Sequence, residues 1–585
     1  MPKTFFITTA IDYTNSPPHV GHAYEKVLAD VIARYHRLKG DKVFFLTGVD
    51  QHGQKVQQSA AKAGVPPAEF VKGITQKFVD LWKKLDVKYD EWAETTSERH
   101  KKVVQGILQR LWTEKQIYKD KQSGYYSVRQ EQFLTDKERG PDGEFGSEWG
   151  QVEFREEENY YFRLEQHKAW LLNLIDKRGK EKNPFVIPNF RNTELRNAIE
   201  KLNGDLCISR PKSRLDWGIE LPFDNNFVTY VWFDALTNYI SFAGYDPDDD
   251  VTKGASFDTR TDFRTYHPKL ERRNPSFRDL WPALHVIGKD ILVPAHGIYW
   301  PCMLHALGFE DDEMPTLLVH GWWNFYGAKM SKSIGNIVEP ESSRRELKTR
   351  LRSGLDRFNI EKIKRNEAPL SRNKITSIIE RCGTEAVRNY LMRDISTGKD
   401  ADFSETRLVE RYNSDLANNI GNLLNRTLSM AQQYRRGRLT ANCNDVTFAE
   451  HRFRLTHQIA EEGYPFAMDQ FDVDTALGLI SMAAQSCNAL IENHAPWKLA
   501  KDQDHAQADR LSSVLYHLAE SLRVIAILIS PVLPGAARRI FDQLNWRVSF
   551  RGKQGRFRLK DVKWGGLPDG HVVGKPVPLF PRIEA

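Results

Sequence analysis

Two short strings, about 310 residues apart, combine residue types that bind phosphate. Residues 19–22 (HVGH) place two imidazoles three residues apart, so both rings face the same way on a helical turn. Residues 329–333 (KMSKS) place two ammonium groups and two hydroxyls in a loop flanked by glycines. Cations and hydroxyls bind phosphate oxygens, and a helix N-terminus is itself an anion site. The strings predict a polyphosphate site with these catalytic candidates: His19, His22, Lys329 and Lys332.

The elements around the first string must bring it to a sheet edge. Residues 5–9 and 43–47 are apolar runs typical of buried strands, and the helical period between them ends at Gly40. Strand, helix and strand in succession predict a parallel sheet with right-handed crossovers. Ligands bind beyond the carboxyl ends of such strands. Residues 19–22 and 50–53 (DQHG) each follow a strand, so both should lie there.

The same alternation returns before the second string. Residues 284–288 and 316–320 read as strands, with an apolar helix between them to about residue 307. From about residue 376 the pattern is almost all helical. The predicted fold is α/β: a Rossmann-like, doubly wound parallel sheet split by a connective insertion and followed by an α-helical bundle. The predicted parts are a catalytic domain (1–114 and 231–335), an insertion (115–230), a linker (336–375), a helical domain (376–535) and a C-terminal tail that packs back on the body (536–585).

Composition narrows the class of protein. The 585 residues carry a net charge of +7, which is compatible with a polyanionic partner. The five cysteines lack the short spacing of a zinc site and suit a reducing compartment. The N-terminus has no signal-peptide pattern, and the apolar run 524–529 is too short to span a membrane. We therefore expect a cytoplasmic protein without a membrane partner.

Further candidates follow other predicted strands. Gly288 allows a ligand to approach the backbone closely. Asp290 could accept a hydrogen bond from a ribose hydroxyl or hold a metal-bound water. The alternative is that residues 288–291 form only a surface turn. Aromatic side chains are frequent in residues 230–239, and His296 and Trp300 lie four apart on a helix. An aromatic stripe of this kind more often belongs to a hydrophobic core than to a binding pocket. Aromatic walls would nevertheless suit a ligand with an unbranched thioether, because sulfur makes favourable contacts with rings. The two strings also have purely structural interpretations. A single histidine can simply cap a helix, and a basic loop can simply be a solvated surface.

The paired strings resemble the signature of class I aminoacyl-tRNA synthetases. Residues 232–236 (WFDAL) and 210–218 (RPKSRLDWG) resemble segments of the methionyl-tRNA synthetase family, and the likeness extends over about residues 4–535. The resemblance implies a methionine pocket, an ATP site and an anticodon-binding surface on the helical bundle. The residues implied are Ile11, Tyr13, Asp50, Trp232, Ala235, Tyr239, His296 and Trp300 for methionine; Glu25, Gly288, Lys289, Asp290, Ser331 and Ser333 for ATP; and Asn422, Arg426 and Trp497 for the anticodon.

The chain departs from the family pattern at a metal-binding knuckle. Where many relatives carry Cys-x-x-Cys, this sequence has Ser127 and Gln130, which cannot replace thiolates on zinc. We expect no structural zinc and no other metal ligands, with Mg²⁺ only on the phosphates of ATP. The sequence stops near residue 585, without an appended dimerising domain, so a monomer is expected.

The function implied by the resemblance is a methionine–tRNA ligase that uses methionine, ATP and tRNA(Met). A related class I ligase for Ile, Val or Leu usually needs a large editing insertion, for which the spacing between the strings leaves little room. A ligase for Cys would need zinc ligands that are missing. A catalytically silent tRNA-binding paralogue would have lost residues of either string, and both strings are intact.

Two segments have no assigned role. Residues 342–374 contain eleven Lys or Arg against four Asp or Glu, which suits a solvated pair of surface helices or an auxiliary contact with a nucleic-acid backbone. Residues 245–276 are polar and read as a surface loop.

Overall fold

A computed structural model describes most of the chain. The described residues are 3–127, 132–134, 136–140, 142–146, 149–181, 184–247, 277–325, 328–329, 375–441, 453–546, 550–551, 554–555 and 557–583. Three sequence predictions concern residues beyond these ranges. The KMSKS string after Lys329, most of the polar loop 245–276 and the whole basic run 342–374 lie outside the described residues.

The described strands and helices are numbered here in chain order. The strands are β1 (Thr4–Thr9), β2 (Asp12–Tyr13), β3 (Lys42–Asp50), β4 (Glu91–Glu94), β5 (Ile117–Ser127), β6 (Gln132–Leu134), β7 (Val152–Phe162), β8 (Val186–Ile187), β9 (Leu206–Cys207), β10 (Ser209–Pro211), β11 (Glu220–Leu221), β12 (Asp224–Thr229), β13 (Leu284–Gly288), β14 (Thr316–His320), β15 (Trp323–Phe325), β16 (Ala328–Lys329), β17 (Ala401–Asp402), β18 (Phe550–Arg551) and β19 (Gln554–Gly555). The helices are α1 (Val20–Lys39), α2 (Gln54–Ala63), α3 (Pro67–Lys84), α4 (Glu98–Thr113), α5 (Lys168–Arg178), α6 (Phe190–Glu200), α7 (Val231–Ser241), α8 (Phe277–Leu280), α9 (Trp300–Ala306), α10 (Ile375–Cys382), α11 (Thr384–Arg393), α12 (Glu405–Arg411), α13 (Asn422–Arg435), α14 (Phe453–Gln458), α15 (Tyr464–Asp469), α16 (Val473–His494), α17 (Pro496–Leu499), α18 (His505–Ile529) and α19 (Pro534–Gln543).

The main sheet is parallel, which confirms the predicted fold class. Its strand order is β2-β3-β1-β13-β14-β8, with β4 also paired to β3. The chain leaves β1 toward β3 on one side, whereas β13 lies on the other side. The strand order therefore reverses between β1 and β13, and the crevice at this point is where such sheets bind ligands.

Helix α1 crosses the centre of the protein. Most of its 20 residues are buried, because β1, β3, β13 and helix α11 pack around it. It ends at Gly40, whose φ of 105° lies in the left-handed region that favours glycine. The buried surroundings fix its N-terminus, which carries the HVGH string, directly beyond β1.

The insertion contains two long paired strands. β5 and β7 each have 11 residues and pair antiparallel along their whole length, from Ile117 with Phe162 to Ser127 with Val152. The short strand β8 also comes from the insertion, and it pairs parallel with β14 as the outer strand of the main sheet. The insertion therefore extends the main sheet and also forms a sheet of its own.

The C-terminal part of the described chain is mainly helical. Helix α18 is its centre and packs against α13, α16 and α19. The apolar run noted at residues 524–529 is only the last part of this 25-residue helix. By length and composition α18 is the one described helix that could cross a membrane, but 89% of its most apolar window is buried inside the protein.

A buried ion pair joins the main sheet to the helical part. Asp30 of α1 binds Arg388 of α11 at 2.7 Å, and both side chains are fully buried. Arg388 also donates to the carbonyl oxygens of Leu85, Pro531 and Val532. A buried charge without partners costs several kcal/mol, so these bonds fix α1 and α11 in one relative position.

The C-terminal tail is held by a second buried charge pair. Glu520 of α18 accepts three backbone N–H bonds, from residues 565–567, and is paired with Arg523. Further along, the side chain of Asn413 exchanges two hydrogen bonds with the backbone of Ile583. The tail therefore lies against the helical part along much of its length.

Candidate active site

A cavity of about 400 Å³ opens at the carboxyl edge of the main sheet, where the strand order reverses. The residues around it come from β2, α1, β3, α2, α7, β13, β14 and β15, and from the turns after β1, β13 and β14. They include Ile11, Asp12, Tyr13, His19, Gly21, His22, Glu25, Asp50, Trp232, Ala235, Tyr239, Gly288, Asp290, His296, His320 and Trp322.

The two histidines of HVGH cap helix α1. His19 is the N-cap residue, and its Nδ1 accepts from the backbone N–H of Gly21 at 3.1 Å. The backbone N–H of His19 donates in return to Nδ1 of His22 at 3.0 Å. The two rings lie 3.8 Å apart, and a Cβ on Gly21 would approach the His19 ring to 3.0 Å.

This cap decides which nitrogen of each ring can donate to a ligand. An imidazole whose Nδ1 accepts a hydrogen bond carries its proton on Nε2. His19 and His22 therefore present two Nε2–H donors from the N-terminus of a helix whose dipole already favours negative charge. The arrangement suits an anion, and the capping role and the binding role of these histidines are compatible.

A chain of charged groups lies behind the histidines. Glu25 accepts from Lys26 at 2.8 Å and from Nε2 of His320 at 3.0 Å. Burial alone would raise the pKa of Glu25, but the Lys26 ammonium and His320 outweigh it and leave the pKa below its ordinary value. The other ring nitrogen of His320 faces the carbonyl of Gly321 at 2.7 Å. His320 therefore joins the Glu25 carboxylate to the backbone of Gly321.

The opposite end of the cavity is aromatic. The Tyr239 hydroxyl lies 2.7 Å from Nε2 of His296, and Nδ1 of His296 lies 2.9 Å from the carbonyl of Ile291. Burial lowers the pKa of His296 to about 4, so the ring is neutral at pH 7 and accepts from the tyrosine. Trp232 stands edge-on to His296, with ring centroids 6.4 Å apart. Together these rings form a wall with few charges.

Trp300 lies behind this wall. It is fully buried, with its ring 5.8 Å from Tyr239, and its Nε1–H donates to His285 at 3.1 Å. His285 stacks on Tyr239 at 4.1 Å and also bonds to Thr8 of β1. Trp300 was predicted to line the methionine pocket. The structure places it one layer away, where it supports Tyr239.

Ile11, Tyr13, Asp50 and Ala235 reach the cavity as predicted from the sequence. Tyr13 and Asp50 are neighbours across the β2–β3 pairing. Asp50 ends β3, and only 6% of its surface is exposed. A carboxylate in this position suits an ammonium group of a ligand.

The residues after β13 divide into two groups. Gly288 and Asp290 line the cavity, and Asp290 accepts from the Trp322 indole at 3.1 Å. Lys289 instead points to Asp400, to which it is bonded at 2.6 Å, and it lies over the Trp322 ring at 3.9 Å. In this structure the predicted ATP ligand Lys289 is therefore bound to a carboxylate of the helical part.

The second string is described only at its beginning. Lys329 is the last residue of β16, which pairs with β15 directly after the cavity residues of β14. Lys332, Ser331 and Ser333 lie outside the described residues. The described backbone thus leads from the cavity into KMSKS.

The three predicted anticodon residues lie on the helical part, away from this cavity. Asn422 begins α13 and is exposed, and Arg426 one turn later pairs with Glu492 at 2.7 Å. Trp497 is 37% exposed on the short helix α17, which follows α16. An exposed indole and an amide on one helical body could stack on and hydrogen-bond to unpaired bases.

The described residues near the expected knuckle are not metal ligands. Ser127 ends β5 and donates to the carbonyl of Trp149 at 2.5 Å, while Gln130 lies outside the described residues. Across the ranges that the structure covers, no group of three or more His, Cys, Asp or Glu side chains could hold a metal ion.

Several cavity residues were not identified from the sequence. Asp12, His320 and Trp322 all line the cavity. His320 could have been found, since it is the last residue of the predicted strand 316–320 and so lies at the ligand edge. Asp12 gave no such signal, because β2 has only two residues.

Comparisons with known proteins agree with this geometry. The model of the family tRNA synthetases class I (M) matches residues 5–144, 147–367 and 371–428. The chain is 35% identical to the methionine–tRNA ligase of Lactococcus lactis and 37% identical to that of Deinococcus radiodurans, over 100% of this chain and 78% and 75% of those proteins. The solved Mycobacterium tuberculosis methionyl-tRNA synthetase in complex with methionyl-adenylate is 32% identical, with a TM-score of 0.80 over 99% of this chain and 100% of that one. The chain belongs to the methionyl-tRNA synthetase family of class I tRNA synthetases.

Proposed function

We infer that the chain is a methionine–tRNA ligase. It activates methionine with ATP and transfers the methionyl group to tRNA(Met). The observation that carries this inference is a single cavity with two chemically different ends. Two imidazole donors at a helix N-terminus form one end, and a neutral wall of Tyr239, His296 and Trp232 forms the other.

The two ends suit the two substrates of the first step. A thioether makes favourable contacts with aromatic rings, and Asp50 at the cavity wall suits the ammonium group of the amino acid. The triphosphate would lie toward His19 and His22, with Gly288 and Asp290 on the nucleotide side. Lys329, Lys332, Ser331 and Ser333 would close over the phosphates, and Lys289 would join them after exchanging Asp400 for phosphate.

The reaction needs no side-chain nucleophile. A carboxylate oxygen of methionine attacks the α-phosphorus of ATP, the bond from that phosphorus to the bridging oxygen breaks, and methionyl-adenylate and pyrophosphate result. Negative charge grows on the α-phosphoryl oxygens, where the Nε2–H groups of His19 and His22 can donate. Orientation of the two substrates supplies the rest of the rate.

Transfer to tRNA follows in the same cavity. The 2′-hydroxyl of the terminal adenosine attacks the methionyl carbonyl carbon. The bond from that carbon to the phosphate oxygen breaks, and AMP leaves with the electron pair and takes up the hydroxyl proton. Selection of tRNA(Met) belongs to Asn422, Arg426 and Trp497, through stacking and hydrogen bonds to anticodon bases. Mg²⁺ accompanies the phosphates of ATP, and the protein acts as a cytoplasmic monomer without zinc.

Amino-acid-dependent exchange of pyrophosphate into ATP tests the inferred substrate. With each of the twenty amino acids in turn, methionine should support the fastest exchange, because the aromatic wall offers a thioether contacts that a shorter or branched side chain cannot make. Discrimination against Ile, Val and Leu should be about 10-fold or more in kcat/KM. Faster exchange with another amino acid would assign a different class I ligase. Binding of tRNA without any exchange would assign a silent paralogue.

The cap geometry gives a sharper test of His19. In His19→Asn the amide oxygen can still accept from the Gly21 N–H, because Asn is a good N-cap residue, but the Nε2–H donor is lost. We expect exchange to fall about 100-fold or more. The melting temperature should stay close to that of wild type, whereas His19→Ala should lower both quantities. Wild-type exchange by His19→Asn would show that the imidazole serves the helix alone.

The anticodon assignment predicts a split between the two half-reactions. Trp497→Ala should reduce kcat/KM for tRNA in aminoacylation by roughly 10- to 100-fold, as expected for loss of one base–indole stack. Pyrophosphate exchange without tRNA should not change. Phe466→Ala removes another exposed aromatic ring of the helical part (71% exposed) and serves as the control. Equal losses in both variants, or a loss in exchange, would contradict the assignment.

A further inference from the structure

Lys26 is a buried charge that the mechanism above does not use. It follows Glu25 on α1, and no part of its side chain is exposed. Its ammonium group donates to Asp12 at 2.7 Å, to Glu25 at 2.8 Å and to the carbonyl of Ala10 at 2.9 Å. The Nζ atom of Lys26 also lies 5.8 Å from the centre of the Trp82 ring. All three donor directions of the ammonium are thus used inside the protein.

The two carboxylates that Lys26 joins both reach the cavity, whereas Lys26 itself is not among the cavity-lining residues. Asp12 belongs to β2 and Glu25 to α1, so one ammonium connects the strand side of the site to the helix side. Burial would lower the pKa of Lys26, but Asp12 and Glu25 outweigh it and raise the pKa above its ordinary value. The ammonium therefore stays charged throughout the working range of pH.

We propose that Lys26 is a positioning residue for methionine activation, which keeps the Glu25 carboxylate ionised and fixed toward the nucleotide side of the cavity. This rests on the proposed function, in which Glu25 lies beside ATP. Lys26 acts through Glu25 and does not touch substrate. His320 contacts the other oxygen of Glu25, so both oxygens of this carboxylate are held.

The groups that face Glu25 decide the direction of the pH effect. They are Lys26 on the same helix, Asp12 on β2, His320 on β14, Tyr239 on α7 and His296 after β13. Tyr239 and His296 are neutral at pH 7, because burial raises the pKa of the first and lowers that of the second. Removal of the ammonium leaves two neighbouring carboxylates without the cation that joins them. The pKa of Glu25 then rises, and its carboxylate is lost at a higher pH than in the wild type.

The test is the pH dependence of methionine-dependent pyrophosphate exchange. In Lys26→Met the acidic limb of kcat/KM should move to higher pH by about 1 to 3 pH units, the range for loss of one adjacent opposite charge. Glu25→Gln removes the titrating group, so it should be slow at every pH and show no such limb. Lys39→Met, near the far end of the same helix, should match wild type in both rate and pH profile.

A double variant keeps the proposal testable where Lys26→Met folds poorly. Lys26→Met with Asp12→Asn also removes the second carboxylate and its repulsion of Glu25, so its acidic limb should return toward wild type and its melting temperature should exceed that of Lys26→Met. A uniform loss of rate with an unmoved limb in both variants would overturn the proposal and leave Lys26 a purely structural residue. Absence of methionine-dependent exchange in the wild type would instead overturn the proposed function.

Discussion

Helix α1 carries charged side chains into the interior of the protein, and each must find a partner there. Glu25, Lys26 and Asp30 are all buried. Their partners come from different elements: Asp12 from β2, His320 from β14 and Arg388 from α11. A buried charge left alone costs several kcal/mol, and these pairs form only in one placement of the helix. Charge pairing thus fixes α1 against both the sheet and the helical part.

That placement determines where the chemistry occurs. The N-terminus of α1 lies at the point where the strand order reverses, so the cap histidines face the crevice that the sheet already provides. The aromatic end is built independently, from α7 and the turn after β13, with Trp300 and His285 supporting Tyr239 from behind. One helix therefore orients the histidine end of the cavity, which we propose for phosphate, and a second layer of rings shapes the aromatic end, which we propose for the amino acid.

The same helix also links the site to the helical part. At its C-terminal end, Tyr35 and Lys39 bond to Asp469. Nearer the cavity, Lys289 bonds to Asp400, which is followed by β17, and β17 pairs with β15. The strand β15 leads into the KMSKS string. The segment that leads into KMSKS and the body that carries the candidate anticodon residues thus share short, direct contacts.

Local patterns in the sequence were sufficient to predict the central strands of the main sheet. The strands at 284–288 and 316–320 have the predicted bounds, because short, mainly apolar runs are typical of buried strands. Residues that follow such strands could be placed at the ligand edge for the same reason. The long pairing of β5 with β7 and the addition of β8 to the main sheet depend on contacts far apart in sequence, which local patterns do not contain.

The charge cluster was beyond prediction for a related reason. Lys26 looks like an ordinary helix residue, and only the fold brings Asp12 and Glu25 to its ammonium group. The family resemblance implied Trp300 for the methionine pocket, and it lies four residues after His296. The helix there has a π-helical segment, Leu292–Tyr299, in which spacing differs from that of a regular α-helix. Trp300 consequently faces His285 in the layer behind the cavity.

The most direct measurement is a crystal structure of the protein with a non-hydrolysable analogue of methionyl-adenylate. The account predicts that the group replacing the phosphate lies within about 3.2 Å of Nε2 of His19 or His22, as a hydrogen bond requires. The thioether should lie against Tyr239, His296 and Trp232, and the ammonium should lie beside Asp50. An analogue bound with its phosphate mimic away from both imidazoles, or with its side chain outside the aromatic wall, would contradict the account.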